Sequence, residues 1–175
     1  MTLAVLDGGT YYHHETIHGA RYRGLFDRAI YIPDLTPADL DDVAVLIVPD
    51  RSPPDLLRLH AGLFGNFLQR GRTLVVLGEN AAESWAPGVV WSSRPTNFWW
   101  WLEPGAETLI AVPPDAEGHD GGALLYDDCV STPGRLLVST LDPFYHHGSR
   151  FMPATTRFLD GFLPWACDLA HRKAA

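Results

Sequence analysis

Gly71-Arg72-Thr73-Leu74-Val75-Val76-Leu77-Gly78-Glu79-Asn80 is the stretch that decides the fold. Its middle is a continuous apolar run rich in β-branched residues, closed abruptly by Gly-Glu-Asn. Continuous rather than alternating hydrophobicity predicts a strand buried on both faces, as in a parallel sheet covered by helices. Ligands of open parallel sheets gather beyond the carboxyl ends of the strands, so Glu79 and Asn80 are expected at the rim of a crevice.

Outward from this strand the chain alternates. Thr2 to Leu6, Arg28 to Ile32, Val43 to Val48 and the run up to Leu141 that follows Pro133-Gly134 read as further strands. Ser52-Pro53-Pro54-Asp55 opens a helix in which Leu56, Leu57, Leu59, Leu63, Phe64, Phe67 and Leu68 recur at helical spacing. Thr36 and Pro37 mark a helical start of a turn or two, as N-cap and first helical residue. The segment Thr10 to Glu15 reads as a loop leading into a helix through Ile17, Tyr22, Leu25 and Phe26. A last helix from about Pro153 carries Phe158, Leu159, Phe162, Leu163 and Trp165, and Pro164 is expected to kink or divide it. Strand and helix in this order imply a parallel sheet with right-handed crossovers. Residues 81–122 are looser and aromatic, with strands expected at Leu109 to Val112 and Gly122 to Tyr126. They read as an insertion on one side of the sheet, and residues 1–175 as one domain.

The composition narrows the function classes. The chain has 175 residues, 46% hydrophobic and 19% charged, with a formal net charge of −8. Nucleic-acid backbones demand clustered Lys and Arg, and there is one lysine, Lys173, so no nucleic-acid partner is expected. No apolar run approaches the ~20 residues of a membrane-spanning helix. The opening strand lacks a basic leader, which points to the cytoplasm. Cys129 and Cys167 show neither metal-ligand nor redox spacing.

This order of elements resembles the class I glutamine amidotransferase-like superfamily, whose fold is a flavodoxin-like three-layer α/β sandwich with a mostly parallel central sheet. The resemblance is carried by the strand and turn Gly71 to Asn80, where that family places its nucleophile elbow. A late Gly134-Arg135-Leu136-Leu137-Val138-Ser139-Thr140-Leu141-Asp142-Pro143 segment resembles the one carrying the family's catalytic histidine, and a helix closes the domain. The family's elbow reads Gly-x-Cys-x-Gly, its thiolate attacking the glutamine amide. Aligning Gly78 with the first glycine puts Asn80 at the nucleophile and Ala82 at the second glycine. Asparagine is no nucleophile for acyl transfer, so glutaminase activity is not expected. His146 or His147 would stand at the histidine position without a partner thiol.

If the topology holds, Tyr12, His13 and His14 after the first strand, Asp50 and Arg51 after the third, Glu79 and Asn80 after the central one, and Asp142, His146 and His147 after the late one converge on one rim. Three readings stand beside one another. They are polar loop residues making caps and turns; or they bind a small molecule or catalyse, with Glu79 and His146 as the acid–base candidates; or imidazoles and carboxylates hold a divalent metal. No spacing is metal-diagnostic, and adjacent histidines in an extended segment point to opposite sides. No cofactor is assigned.

Trp85, Trp91 and Trp99-Trp100-Trp101 are a second feature. Three consecutive tryptophans cannot all face one core, so a second layer of the chain, a partner copy meeting the Trp85–Trp101 region, or a stacked ligand is expected there. Asp7-Gly8-Gly9-Thr10 follows a strand but lacks both dinucleotide and phosphate-loop fingerprints. The leading expectation is a non-glutaminase amidotransferase-like module that binds a small ligand or a protein. The alternative is a hydrolase using the His/carboxylate crevice, with or without a metal.

Overall fold

A computed structural model describes residues 2–78, 80–93, 108–111, 125–139 and 141–171. Glu79 and Trp99-Trp100-Trp101 lie outside the described residues. In chain order the elements are β1 (Thr2–Asp7), α1 (Tyr11–His18), β2 (Arg28–Tyr31), β3 (Val43–Val48), α2 (Pro54–Leu59), α3 (Ala61–Gln69), β4 (Thr73–Leu77), β5 (Val90–Ser93), β6 (Thr108–Ala111), β7 (Leu125–Asp128), β8 (Arg135–Ser139), α4 (Pro143–Gly148) and α5 (Ala154–His171).

Among the described residues six strands form one sheet in the order β2-β1-β3-β4-β8-β7, and β5 pairs with β6 apart from it. β2, β1, β3, β4 and β8 run parallel, and β7 is antiparallel on β8. The 71–80 stretch therefore supplies an interior strand, with β3 on one side and β8 on the other. Val75 stands opposite both Ile47 and Leu137.

The continuous apolar run works as two alternating sets, because side chains along a strand point to opposite faces. Leu74 and Val76 join Leu46, Leu57, Phe64, Phe67 and Trp85 on one side. Val75 and Leu77 join Val5, Ile47, Phe144, Leu159 and Leu163 on the other. Both faces are covered, and Leu74 to Leu77 are all fully buried.

Local sequence sets the boundaries. Thr10 caps α1, its hydroxyl accepting from the His13 N–H at 3.3 Å. Helix thus begins at Tyr11, where a loop was expected, because the cap satisfies a donor the helix start leaves unpaired. The apolar helix after Pro53 is two pieces, α2 and α3, meeting at His60. Pro164 lies inside α5 without dividing it. A proline there costs roughly 3 kcal/mol, whereas burying Leu159, Phe162 and Leu163 contributes about 1.5–3 kcal/mol for each side chain. The strand expected at Leu109 to Val112 overlaps β6 and that at Gly122 to Tyr126 overlaps β7, with 112 and 122–124 outside the described residues. β5 was not anticipated.

Candidate functional site

The carboxyl ends of β1, β3, β4 and β8 share one rim. Its centre is Asp50, which follows β3 and has no exposed surface. The two carboxylate oxygens accept from the N–H groups of Phe144 and Tyr145, each at 2.8 Å. α4 has no side-chain cap of its own, so a carboxylate from the far side of the crevice takes that role. Burial pushes the Asp50 carboxyl up to about 7, the two backbone donors oppose this, and Asp142 nearby adds to it.

His13 is the second buried polar group. The Gly8 N–H donates to Nδ1 at 3.2 Å, and Nε2 donates to the Asp50 carbonyl at 2.7 Å. Both ring nitrogens are engaged in the neutral form, and burial lowers the pKa below the usual histidine range. Thr16, also on α1, donates through its hydroxyl to Phe144 O at 3.0 Å. β1, β3, α1 and α4 are thus tied together by buried polar groups.

Gly78 permits this convergence. Its φ of +57° lies in the left-handed region. A Cβ there would overlap Asp142 Oδ1 and stand 2.5 Å from the Asp50 Cβ and 2.9 Å from Leu141 O. Above the buried layer Arg51, also left-handed at φ +57°, lays its guanidinium 3.9 Å from the Tyr145 ring centre. It meets Asp142 Oδ2 at 3.2 Å. Tyr12 packs edge-on against Tyr145 at 5.2 Å.

The sequence-expected residues therefore divide. Tyr12, His13, Asp50, Arg51 and Asp142 meet at the rim. Asn80 is adjacent in sequence but turns away, being 2% exposed with Nδ2 donating to Leu77 O at 3.0 Å. Its own carbonyl accepts from Trp85 Nε1 at 2.9 Å. Trp85 packs on Phe64 at 5.1 Å and belongs to the core. His13-His14 and His146-His147 were expected in extended segments but lie in helices α1 and α4. Adjacent helical residues are not opposed; they fan around the axis. His146 stacks on Phe151 at 5.5 Å, and His147 faces α5 with Nδ1 2.8 Å from Thr156 Oγ1. Burial lowers the pKa of both. No group of three or more His, Cys, Asp or Glu among the described residues is arranged to hold a metal ion, and none of their helices is long and apolar enough to cross a membrane.

Tyr145 was missed at the rim, although it lies within the late loop and an aromatic beside an arginine is a readable cation–π signal. No sequence signal marked Thr16, which matters through a backbone carbonyl more than a hundred residues away.

No protein-family model and no curated protein matches the chain. A solved structure similar to it is the polyextremophilic β-galactosidase from the Antarctic haloarchaeon Halorubrum lacusprofundi, with 15% sequence identity and a TM-score of 0.39. The match covers 91% of this chain and 30% of that one, so the chain spans under a third of the β-galactosidase, and a likeness at this level carries no argument about activity.

Proposed function

We propose that this chain is a non-glutaminase, amidotransferase-like domain of flavodoxin-like topology that works as a binding module. The strand order β2-β1-β3-β4-β8 supports the topology, since it follows the flavodoxin pattern 2-1-3-4-5. The observation that carries the functional reading is Asn80. At the position matching the family's nucleophile the side chain is buried, bonded back to Leu77 O, and absent from the rim. Acyl transfer needs an activated nucleophile within reach of its base, and neither is offered there.

The competing hydrolase reading rests on His13 and Asp50. Both nitrogens of the one and both oxygens of the other are engaged with backbone groups. An acid–base pair requires a proton within hydrogen-bond reach of substrate, and these two are sealed beneath Arg51 and Tyr145. The test is ammonia release from glutamine by the purified protein. None is expected; hydrolysis abolished by His146→Ala would overturn the reading.

A further inference from the structure

Between the second half of α1, the end of α4 and the first turn of α5 lies a cleft of about 380 Å³. That is within the ~300–1,000 Å³ usual for small-molecule sites. Glu15, Arg21, His146, His147, Arg150 and Thr156 line it. Two guanidiniums face it, Arg21 paired with Asp160 and Arg150 with Glu15, so what the wall offers is donors rather than an excess of positive charge.

Each basic group is placed and incompletely used. Arg150 is held at φ +59°, a backbone state that a residue with a side chain adopts only where the surroundings impose it. Its side chain is 82% exposed. Among the described residues its one side-chain partner is Glu15, at 3.3 Å, which leaves most of the five guanidinium donors unengaged. Arg21 is fixed by a two-pronged pair with Asp160, Nε to Oδ1 at 2.8 Å and Nη2 to Oδ2 at 2.6 Å. The Tyr22 hydroxyl steadies the same carboxylate at 3.0 Å. Nη1 of Arg21 has no hydrogen bond among the described residues.

His147 is clamped between Thr156 and the Tyr22 ring, 4.9 Å away. Burial, with Arg21 next in effect, lowers its pKa, which favours the neutral ring. In the tautomer in which Nδ1 accepts from the Thr156 hydroxyl, Nε2 carries the proton, and it has no partner among the described residues. A neutral imidazole N–H beside two guanidiniums is a donor set for oxygen anions.

We propose that this cleft binds a small organic molecule through an oxyanion, a carboxylate or a phosphate group, received by Arg150 and His147 Nε2 with Arg21 alongside. This rests on the binding-module reading and gives it a location and a ligand class. The ligand lies one helix outside the rim.

Titration calorimetry of the full chain at pH 7 and constant ionic strength tests it, with inorganic phosphate and succinate as separate probes and chloride as the control. Saturable 1:1 binding of one probe is expected, and which one binds distinguishes phosphate from carboxylate. Arg150→Ala and His147→Gln should each weaken it roughly tenfold or more, the scale of a lost charge-assisted hydrogen bond. Arg51→Ala at the rim should leave it unchanged. Arg150 is too exposed for its loss to unfold the chain, and thermal melting checks both variants. No saturable binding of either probe, or binding indifferent to Arg150→Ala, or binding lost in Arg51→Ala instead, would overturn the cleft assignment. Glutamine hydrolysis would overturn the binding-module reading, leaving the calorimetry to decide the cleft separately.

Discussion

The rim and the outer cleft are both built on α1 and α4, and they use polar residues in opposite ways. At the rim Asp50, His13 and Thr16 are buried and bonded to backbone groups, and Gly78 lets the loops close until no side chain would fit. In the cleft Arg150 and His147 keep donors that no described residue engages. The difference teaches that polar residues at the expected end of a parallel sheet can be the frame, and that the receptive surface can lie a helix further out. Completed hydrogen bonding, more than position, separates the two.

The strongest way to break this contrast is Asp50→Ala. It would strand the Phe144 and Tyr145 N–H groups, at about 1–3 kcal/mol each, so a loss on the order of 2–6 kcal/mol is expected in urea unfolding. A loss below 1 kcal/mol would mean the rim is not structural. Next comes close packing. Gly148→Ala would drive a Cβ into Tyr12 O and to 2.6 Å from the Tyr12 Cα, prising α1 from α4. Overpacking of this kind costs roughly 1–3 kcal/mol, and phosphate or succinate binding should fall with it; a variant as stable as wild type would show that the two helices are not locked.

A titration then separates the two regions more finely. The Asp50 carboxyl is raised from an ordinary 3.8 to about 7, so the folded chain holds a proton that the unfolded chain releases. Its contribution is complete below 3.8 and is lost as pH rises through about 7. His13, His146 and His147 are all lowered from 6.5, so their contributions are complete above 6.5 and are lost as pH falls below it through the lowered folded values. The stability of wild type relative to Asp50→Asn should therefore decline between pH 4 and 7 and then level off, as read by urea midpoints. A flat difference would place the proton elsewhere. The smallest effect belongs to the cleft. Arg150→Ala should change stability by no more than about 0.5 kcal/mol, as exposed substitutions do, while weakening anion binding roughly tenfold or more; a larger stability loss would make Arg150 part of the frame.

The sheet was legible because Val43 to Val48 and Thr73 to Leu77 are short, uninterrupted apolar runs, a pattern that few structures other than a covered strand satisfy. The convergence of Asp50, Arg51 and Asp142 followed from topology alone. Asn80 did not, since strand direction fixes where a turn lies but not which way its side chain rotates once Leu77 O offers an acceptor. Nor did the helical setting of His13 and His146: Thr10 as a cap and Pro143 at a first helical position are local signals, but the acceptors completing α4 come from Asp50. Arg21, Arg150 and Thr156 carried no motif, being joined only by helix packing.

β4 reaches its neighbour β8 across a long stretch of chain, Val75 lying opposite Leu137. During synthesis from the N-terminus, Thr73–Leu77 leaves the ribosome with one flank unpartnered and stays so until Arg135–Ser139 has been made. An apolar strand with open backbone groups templates pairing with other chains. A nascent or truncated product that stops short of Arg135 is therefore the form of this protein most prone to aggregate, and the one a chaperone would meet.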